Sequence, residues 1–166
     1  LSMRDLEVAR LTAGGTATED QDEELHRAYV YWLATPRVAL GVDVLYEEFE
    51  REDAPLNQPA SLRTWRIPFS LSYHHPNGLF AKLLPTYIDQ EIEQPVIGRD
   101  EDRFWVVDAR IGYRLPGRRG VVSLEVRNAF DTEFMFYDAD FQSGLARPPS
   151  VQPERAVFAT VAVSID

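Results

Sequence analysis

The segment 63–75, RTWRIPFSLSYHH, alternates residue by residue. Trp65, Ile67, Phe69, Leu71 and Tyr73 fall on one parity; Thr64, Arg66, Ser70, Ser72 and His74 fall on the other. A period of two sends successive side chains to opposite faces of a strand, so this strand has one apolar and one polar face. The pattern recurs. Val38, Leu40, Val42, Val44 and Tyr46 oppose Arg37, Ala39, Gly41, Asp43 and Glu47. Trp105, Val107, Ala109, Ile111 and Tyr113 oppose Val106, Asp108, Arg110, Gly112 and Arg114. Val122, Leu124 and Val126 oppose Ser123, Glu125 and Arg127, and Val157, Ala159, Val161, Val163 and Ile165 oppose Phe158, Thr160, Ala162 and Ser164. LFAKLLPTYID sets Leu79, Ala81, Leu83 and Tyr87 against Lys82 and Thr86. HRAYVYWLA has strand composition with no clear parity, and MRDLEVARL makes an eighth strand. No segment of useful length has a helical period. Pro68 and Pro85 fall inside predicted strands, where a missing donor calls for a bulge or an edge position.

The connections alternate in length. Strands near 24–34 and 37–47 meet at Thr35-Pro36, those near 63–74 and 79–89 at His75-Pro76-Asn77-Gly78, and those near 103–115 and 120–130 at PGRR. These are tight turns built from turn residues. The intervening connections, LTAGGTATEDQDEE, EFEREDAPLNQPASL, QEIEQPVIGRDED and 131–153, are long. Long loops gathered at one end are the habit of an outer-membrane barrel, with short periplasmic turns and longer outer loops. The pattern predicts an all-β, antiparallel, up-and-down transmembrane β-barrel of about eight strands, a single domain over 1–166.

The aromatic positions sharpen this expectation. Trp65 and Tyr73 bracket one apolar row, and Trp105 and Tyr113 bracket another. At about 3.3 Å per residue and a tilt near 40°, that spacing spans about 20 Å along the barrel axis. Threaded in alternating directions, Tyr46, Trp65, Tyr87 and Trp105 fall at the long-loop rim and Tyr73 and Tyr113 at the short-turn rim, where amphipathic rings meet a membrane interface. In such a barrel Arg37, Asp43, Arg66, Lys82, Asp108, Arg110, Arg114, Glu125 and Arg127 face the lumen, forming a wall of mixed sign. In a soluble half-buried sheet the same residues form a solvated face. Acidic runs at Glu19-Asp20, Asp22-Glu23-Glu24, Glu47-Glu48, Glu50, Glu52-Asp53 and Asp100-Glu101-Asp102 are expected in the loops, as solvated charge or as a cation-binding outer rim.

Composition narrows the classes. A formal net charge of -10 argues against nucleic acid as a partner. The absence of cysteine removes disulfides and thiolate metal sites. No apolar run reaches the roughly 18 residues of a membrane helix, which leaves a β-barrel possible because its strands are short and alternating. No signal peptide is visible, and the chain reads as mature or as a fragment. His74-His75 beside a turn has no third histidine near it in sequence, so no metal site is assigned. No G-x-S-x-G, nucleotide loop or zinc signature is present, and no catalytic residue or cofactor is assigned.

Two motifs carry a resemblance. VSLEVRNAFDTEF, with Asn128-Ala129-Phe130-Asp131 and then Phe134, resembles the penultimate-strand motif of TonB-dependent outer-membrane receptors. PERAVFATVAVSI resembles their closing strand: Pro153 and Arg155 fit, Ile165 stands at the usual aromatic place, and Asp166 is extra. YDADFQSG resembles plug-less barrels fused to tetratricopeptide repeats. These motifs cover about 45 residues and specify a barrel end but no ligand. The resemblance implies transport across a Gram-negative, bacterial outer membrane. It implies membrane lipid and the barrel-assembly machinery as partners, with a periplasmic energy-coupling protein if the chain is receptor-like. It also implies more than eight strands and a plug, neither visible here; the chain is either the C-terminal part of a larger barrel or a small closed one. An export or structural barrel, a small outer-membrane enzyme and a soluble antiparallel barrel are the other classes the sequence allows.

Overall fold

The computed structural model describes residues 2–12, 15–51, 54, 59–96, 98–136, 150–151 and 154–164. They form strands β1 (Ser2–Thr12), β2 (Gly15–Thr35), β3 (Val38–Arg51), β4 (Ser61–His74), β5 (Leu79–Gln94), β6 (Gly98–Arg114), β7 (Gly120–Arg127), β8 (Met135–Phe136), β9 (Ser150–Val151) and β10 (Ala156–Val163), with a 3-10 turn at Pro116–Arg118. One eight-stranded sheet runs β1-β2-β3-β4-β5-β6-β7-β10, every neighbour antiparallel. The two-residue strands β8 and β9 pair separately. The expected up-and-down order is present. Closure is not: β1 and β10 end the sheet, and no pairing joins them among the described residues. Closing a sheet needs both edges in register around a full circle, and these strands form an open arc.

Three turns close one end. Thr35 Oγ1 accepts from the backbone N–H of Arg37 (3.2 Å) and Val38 (3.1 Å), which folds β2 onto β3. Between β4 and β5, the Gly78 N–H donates to His75 O at 3.0 Å and the Leu79 N–H to Asn77 Oδ1 at 3.0 Å. Gly78 has φ +102, and a Cβ there would lie 2.4 Å from Arg114 O, so only glycine fits. His75 Nδ1 accepts from the Asn77 N–H at 3.3 Å and is thereby part of this turn.

The opposite end departs from expectation. The acidic segments expected as loops continue as paired strand. Thr12 pairs with Gly15, and Gln94 with Gly98, so 11–24 and 90–102 are mainly hairpin extensions with short tips. The longer intervals between described strands are 52–60, before β4, and the segment after β7; Glu52-Asp53, 55–58 and 137–149, with YDADFQSG, lie outside the described residues. Pro153, Ile165 and Asp166 of the closing-strand resemblance also lie outside them.

The prolines need neither a bulge nor an edge. Pro68 lies in β4 and Pro85 in β5, both interior strands with unshifted register on either side. Pairing of β3 with β4 skips from Val42↔Phe69 to Leu45↔Arg66, and pairing of β4 with β5 skips from Pro68↔Thr86 to Leu71↔Leu83. Each strand residue directs its N–H to one neighbour only. Each proline therefore interrupts one ladder and leaves the other, Pro68↔Thr86 and Pro85↔Val107, in register.

Candidate functional site

The register resolves the two faces of the sheet. One carries Val30, Trp32, Leu40, Val42, Trp65, Phe69, Leu71, Leu83, Trp105, Ile111, Leu124 and Val161. It is apolar and open: Val161 is 68% exposed, Ile111 52% and Trp105 48%. Among the described residues, the buried strand side chains lie on the other face: Phe49, Arg51, Leu62, Thr64, Ile88, Gln90, Ile92, Phe104 and Ser123. The first is the outer face and the second the inner face. HRAYVYWLA, ambiguous in sequence, sends Ala28, Val30 and Trp32 outward and Arg27, Tyr29 and Tyr31 inward.

A row of rings crosses the outer face. Tyr46 is paired with Trp65 (centroids 4.7 Å apart) and Tyr87 with Trp105 (5.3 Å), while His26 lies 5.7 Å from Tyr46. Two residues beyond each tyrosine stands an acid, and opposite each acid an arginine. Tyr46 donates to Glu48 and Arg63 binds Glu48 at 3.0 Å; Tyr87 donates to Asp89 (3.3 Å) and Arg103 binds Asp89 at 3.0 Å. The two hairpins thus repeat one device, Tyr-x-acid against Arg-x-Trp, in identical register. Glu48 is held below the ordinary carboxylate range, first by the Tyr46 hydroxyl and then by Arg63, against a smaller opposing effect of burial than the tyrosine bond. The Arg103 guanidinium is raised by the charges of Asp89 and Glu101.

The polarity of the sheet inverts at this row. Toward the turns the outer face is apolar and the inner face carries the charges. Toward the hairpin tips the outer face bears Glu48, Glu50, Arg63, Asp89, Glu91, Arg99, Glu101 and Arg103, and the inner face bears the buried cluster Phe49, Leu62 and Ile92 beside Arg51, Gln90, Asp100 and Asp102. Ile88 and Phe104 sit at the row itself, with Phe134 stacked on Phe104 (4.3 Å, 15°).

The inner face at the turn end holds eight of the nine expected wall residues: Asp43, Arg66, Lys82, Asp108, Arg110, Arg114, Glu125 and Arg127. Arg37 is the exception. It lies in the β2–β3 turn, drawn there by the Thr35 hydroxyl, and its carbonyl accepts from the His74 N–H at 2.8 Å. Asp43 is bound by Arg27, whose Nε lies 3.0 Å from Oδ2. Arg27 escaped the sequence reading because aromatic residues occupy both parities around it. Asp108 Oδ1 accepts from the Asn128 N–H at 2.9 Å, and Arg127 binds Glu125 at 2.7 Å while lying 4.9 Å over the Phe158 ring. Arg66 is exposed, two residues from Thr64 toward the turns.

Asn128 anchors the segment that leaves β7. With φ +47 it turns the chain in the left-handed region; its Oδ1 accepts from the Thr132 N–H (3.0 Å) and its Nδ2 donates to Thr132 O (2.9 Å). Asp131 then accepts from the Arg155 N–H at 2.8 Å, tying this turn to the start of β10. The Asn-Ala-Phe-Asp motif thus works through its two polar ends, while Phe130 is 76% exposed.

Two hollows lie back to back at the turn end. On the outer face, a shallow apolar hollow of about 350 Å³ opens over Ala81 and Ala109, between Leu71, Tyr73, Leu83, Ile111 and Leu124. On the inner face, a groove of about 380 Å³ is lined by Ser72, His74, Phe80, Lys82, Arg110 and Arg114. Comparison of the chain with protein-family models, with curated proteins and with solved structures gives no match.

Proposed function

We propose that this chain is wall of a bacterial outer-membrane β-barrel that takes part in transport, of the kind TonB-dependent receptors represent. The polarity inversion carries the proposal. A soluble sheet keeps one face toward water along its whole length. A membrane wall has lipid outside and water inside within the band, and water outside above it, so its outer face must turn from apolar to polar at the interface. Here the reversal falls on one row across β3, β4, β5 and β6, and that row consists of tyrosine and tryptophan.

The dimensions agree. From Trp65 to Tyr73 and from Trp105 to Tyr113 each strand segment has nine residues, within the roughly 9–11 that span a bilayer at a tilt. The open arc fits part of a wall closed by further strands, because unpaired edges are costly in hydrocarbon. Membrane lipid would meet the outer face, the barrel-assembly machinery would insert the sheet, and an energy-coupling protein would act at the turn end.

The test is fluorescence quenching in liposomes of brominated lipid, with the other tryptophans replaced by phenylalanine. Trp65 and Trp105 are expected to be quenched most by bromines near the interface. A chain that stays monodisperse without detergent, with both tryptophans unaffected by brominated lipid, would overturn the proposal.

A further inference from the structure

The inner groove has a feature that wall architecture leaves unexplained. Lys82 and Arg110 are direct cross-strand partners, and like charges placed opposite one another destabilise a sheet. Among the described residues no carboxylate lies in salt-bridge range of Lys82, Arg110 or Arg114. Glu125 is opposite Arg110 in the ladder, yet its carboxylate is taken by Arg127. Arg110 donates from one terminal nitrogen to Ser123 Oγ at 3.0 Å, and its Nε is buried with no partner among the described residues.

The cations are also held in place. Gly112 separates Arg110 from Arg114 on β6, and the Phe80 ring lies over it: a Cβ at Gly112 would be 2.3 Å from the ring. The glycine therefore makes a seat for Phe80, and both guanidiniums rest on that ring, Arg110 at 5.7 Å and Arg114 at 5.5 Å. Ser72 and His74 add hydrogen-bonding groups from β4. Three cations, two polar side chains and an aromatic platform converge on one groove, in a chain whose formal net charge is -10.

We propose that this groove binds a solute bearing a multiply charged oxyanion, carboxylate or phosphate, with Lys82, Arg110 and Arg114 as its cationic ligands. The ligand would relieve the Lys82–Arg110 repulsion. This goes beyond the membrane proposal and stands without it, because the groove belongs to the face opposite the apolar band.

The experiment is isothermal titration of the full chain, in zwitterionic detergent at low ionic strength, with pyrophosphate and separately with citrate. Wild-type chain is expected to bind at least one of them, and the anion that binds identifies the source of the charge. The variant K82Q/R114Q is expected to lose at least tenfold in affinity. The variant R63Q/R103Q, with the same change in net charge on the outer face, is expected to keep it. A second measurement does not depend on the double variant folding. Without anion K82Q is expected to melt above wild type, and saturating anion is expected to raise wild type more than K82Q. No binding of either anion, an equal loss in both double variants, or a lower anion-free melting point for K82Q would overturn the assignment.

Discussion

Phe69 stands at the middle of the apolar row between Trp65 and Tyr73, 40% exposed on the outer face. If lipid covers that face, Phe69→Arg costs about 2–4 kcal/mol, the depth-dependent penalty of a cation at mid-bilayer. Ile111→Arg, one position from the turn-end ring Tyr113, is expected to cost less. Thr160→Arg, exposed on the inner face of β10 opposite Ser123, is expected to stay within about 0.5 kcal/mol of wild type. Denaturant titrations in lipid vesicles measure all three, and equal costs on the two faces would remove the assignment of lipid to one of them. Glu48 supplies a pH test. Its folded carboxyl is held below the usual range by Tyr46 and Arg63. The stabilisation is therefore complete above the unfolded glutamate value of about 4.3 and is lost as pH falls through the lowered folded value. The pair with Arg63 is partly exposed, so its worth is about 0.2–1 kcal/mol. The difference in melting temperature between wild type and Glu48→Gln should be present at pH 6 and vanish in strong acid.

At the scale of elements, the hairpins and the turn after β7 carry separable roles. Asn128 makes two hydrogen bonds to the Thr132 backbone from a left-handed conformation. Asn128→Ala strands both Thr132 groups, and a loss of about 1–3 kcal/mol is expected; Asn128→Asp, which keeps the acceptor, should lose less. The β5–β6 hairpin tip contributes Ile92, buried with Phe49 and Leu62 above the aromatic row. If the chain is the outer-membrane wall proposed above, deleting 91–101 is expected to leave insertion intact while exposing that cluster and impairing ligand uptake. A heat-modifiability gel beside a cell uptake assay checks both parts. Normal uptake by a correctly inserted deletion would remove the functional role of the tip.

For the whole molecule, the open edges decide behaviour. β10 is exposed along almost its full length, and its outer positions are Val157, Ala159, Val161 and Val163. Such an edge templates pairing with another strand, and in hydrocarbon its unpaired backbone groups are more costly still. The chain refolded by itself in micelles is therefore expected to associate through strand pairing at β1 and β10. Light scattering coupled to size exclusion measures this. A monomeric, heat-modifiable species would instead show that the eight strands close on themselves.

Local alternation alone determined most of β3, β4, β6, β7 and β10, because a period of two is written in neighbouring residues and needs no distant partner. The apolar row Trp65 to Tyr73, the three tight turns and the level of Tyr46, Trp65, Tyr87 and Trp105 were all legible on that ground. What depends on register was not legible. The inward direction of Arg27 follows from pairing with Leu45, the opposition of Lys82 and Arg110 from the β5–β6 ladder, and the seat of Phe80 over Gly112 from the same ladder. The acidic segments 15–24 and 98–102, read as loops, are strand extensions in unbroken register with their partners, a pairing set by the facing strand and not written in the segment itself. Pro68 and Pro85 were tolerated because an antiparallel residue directs its donor to one neighbour only. Whether the arc closes is set by how far the sheet curls and which edges meet, a property of all the strands together that no single segment encodes.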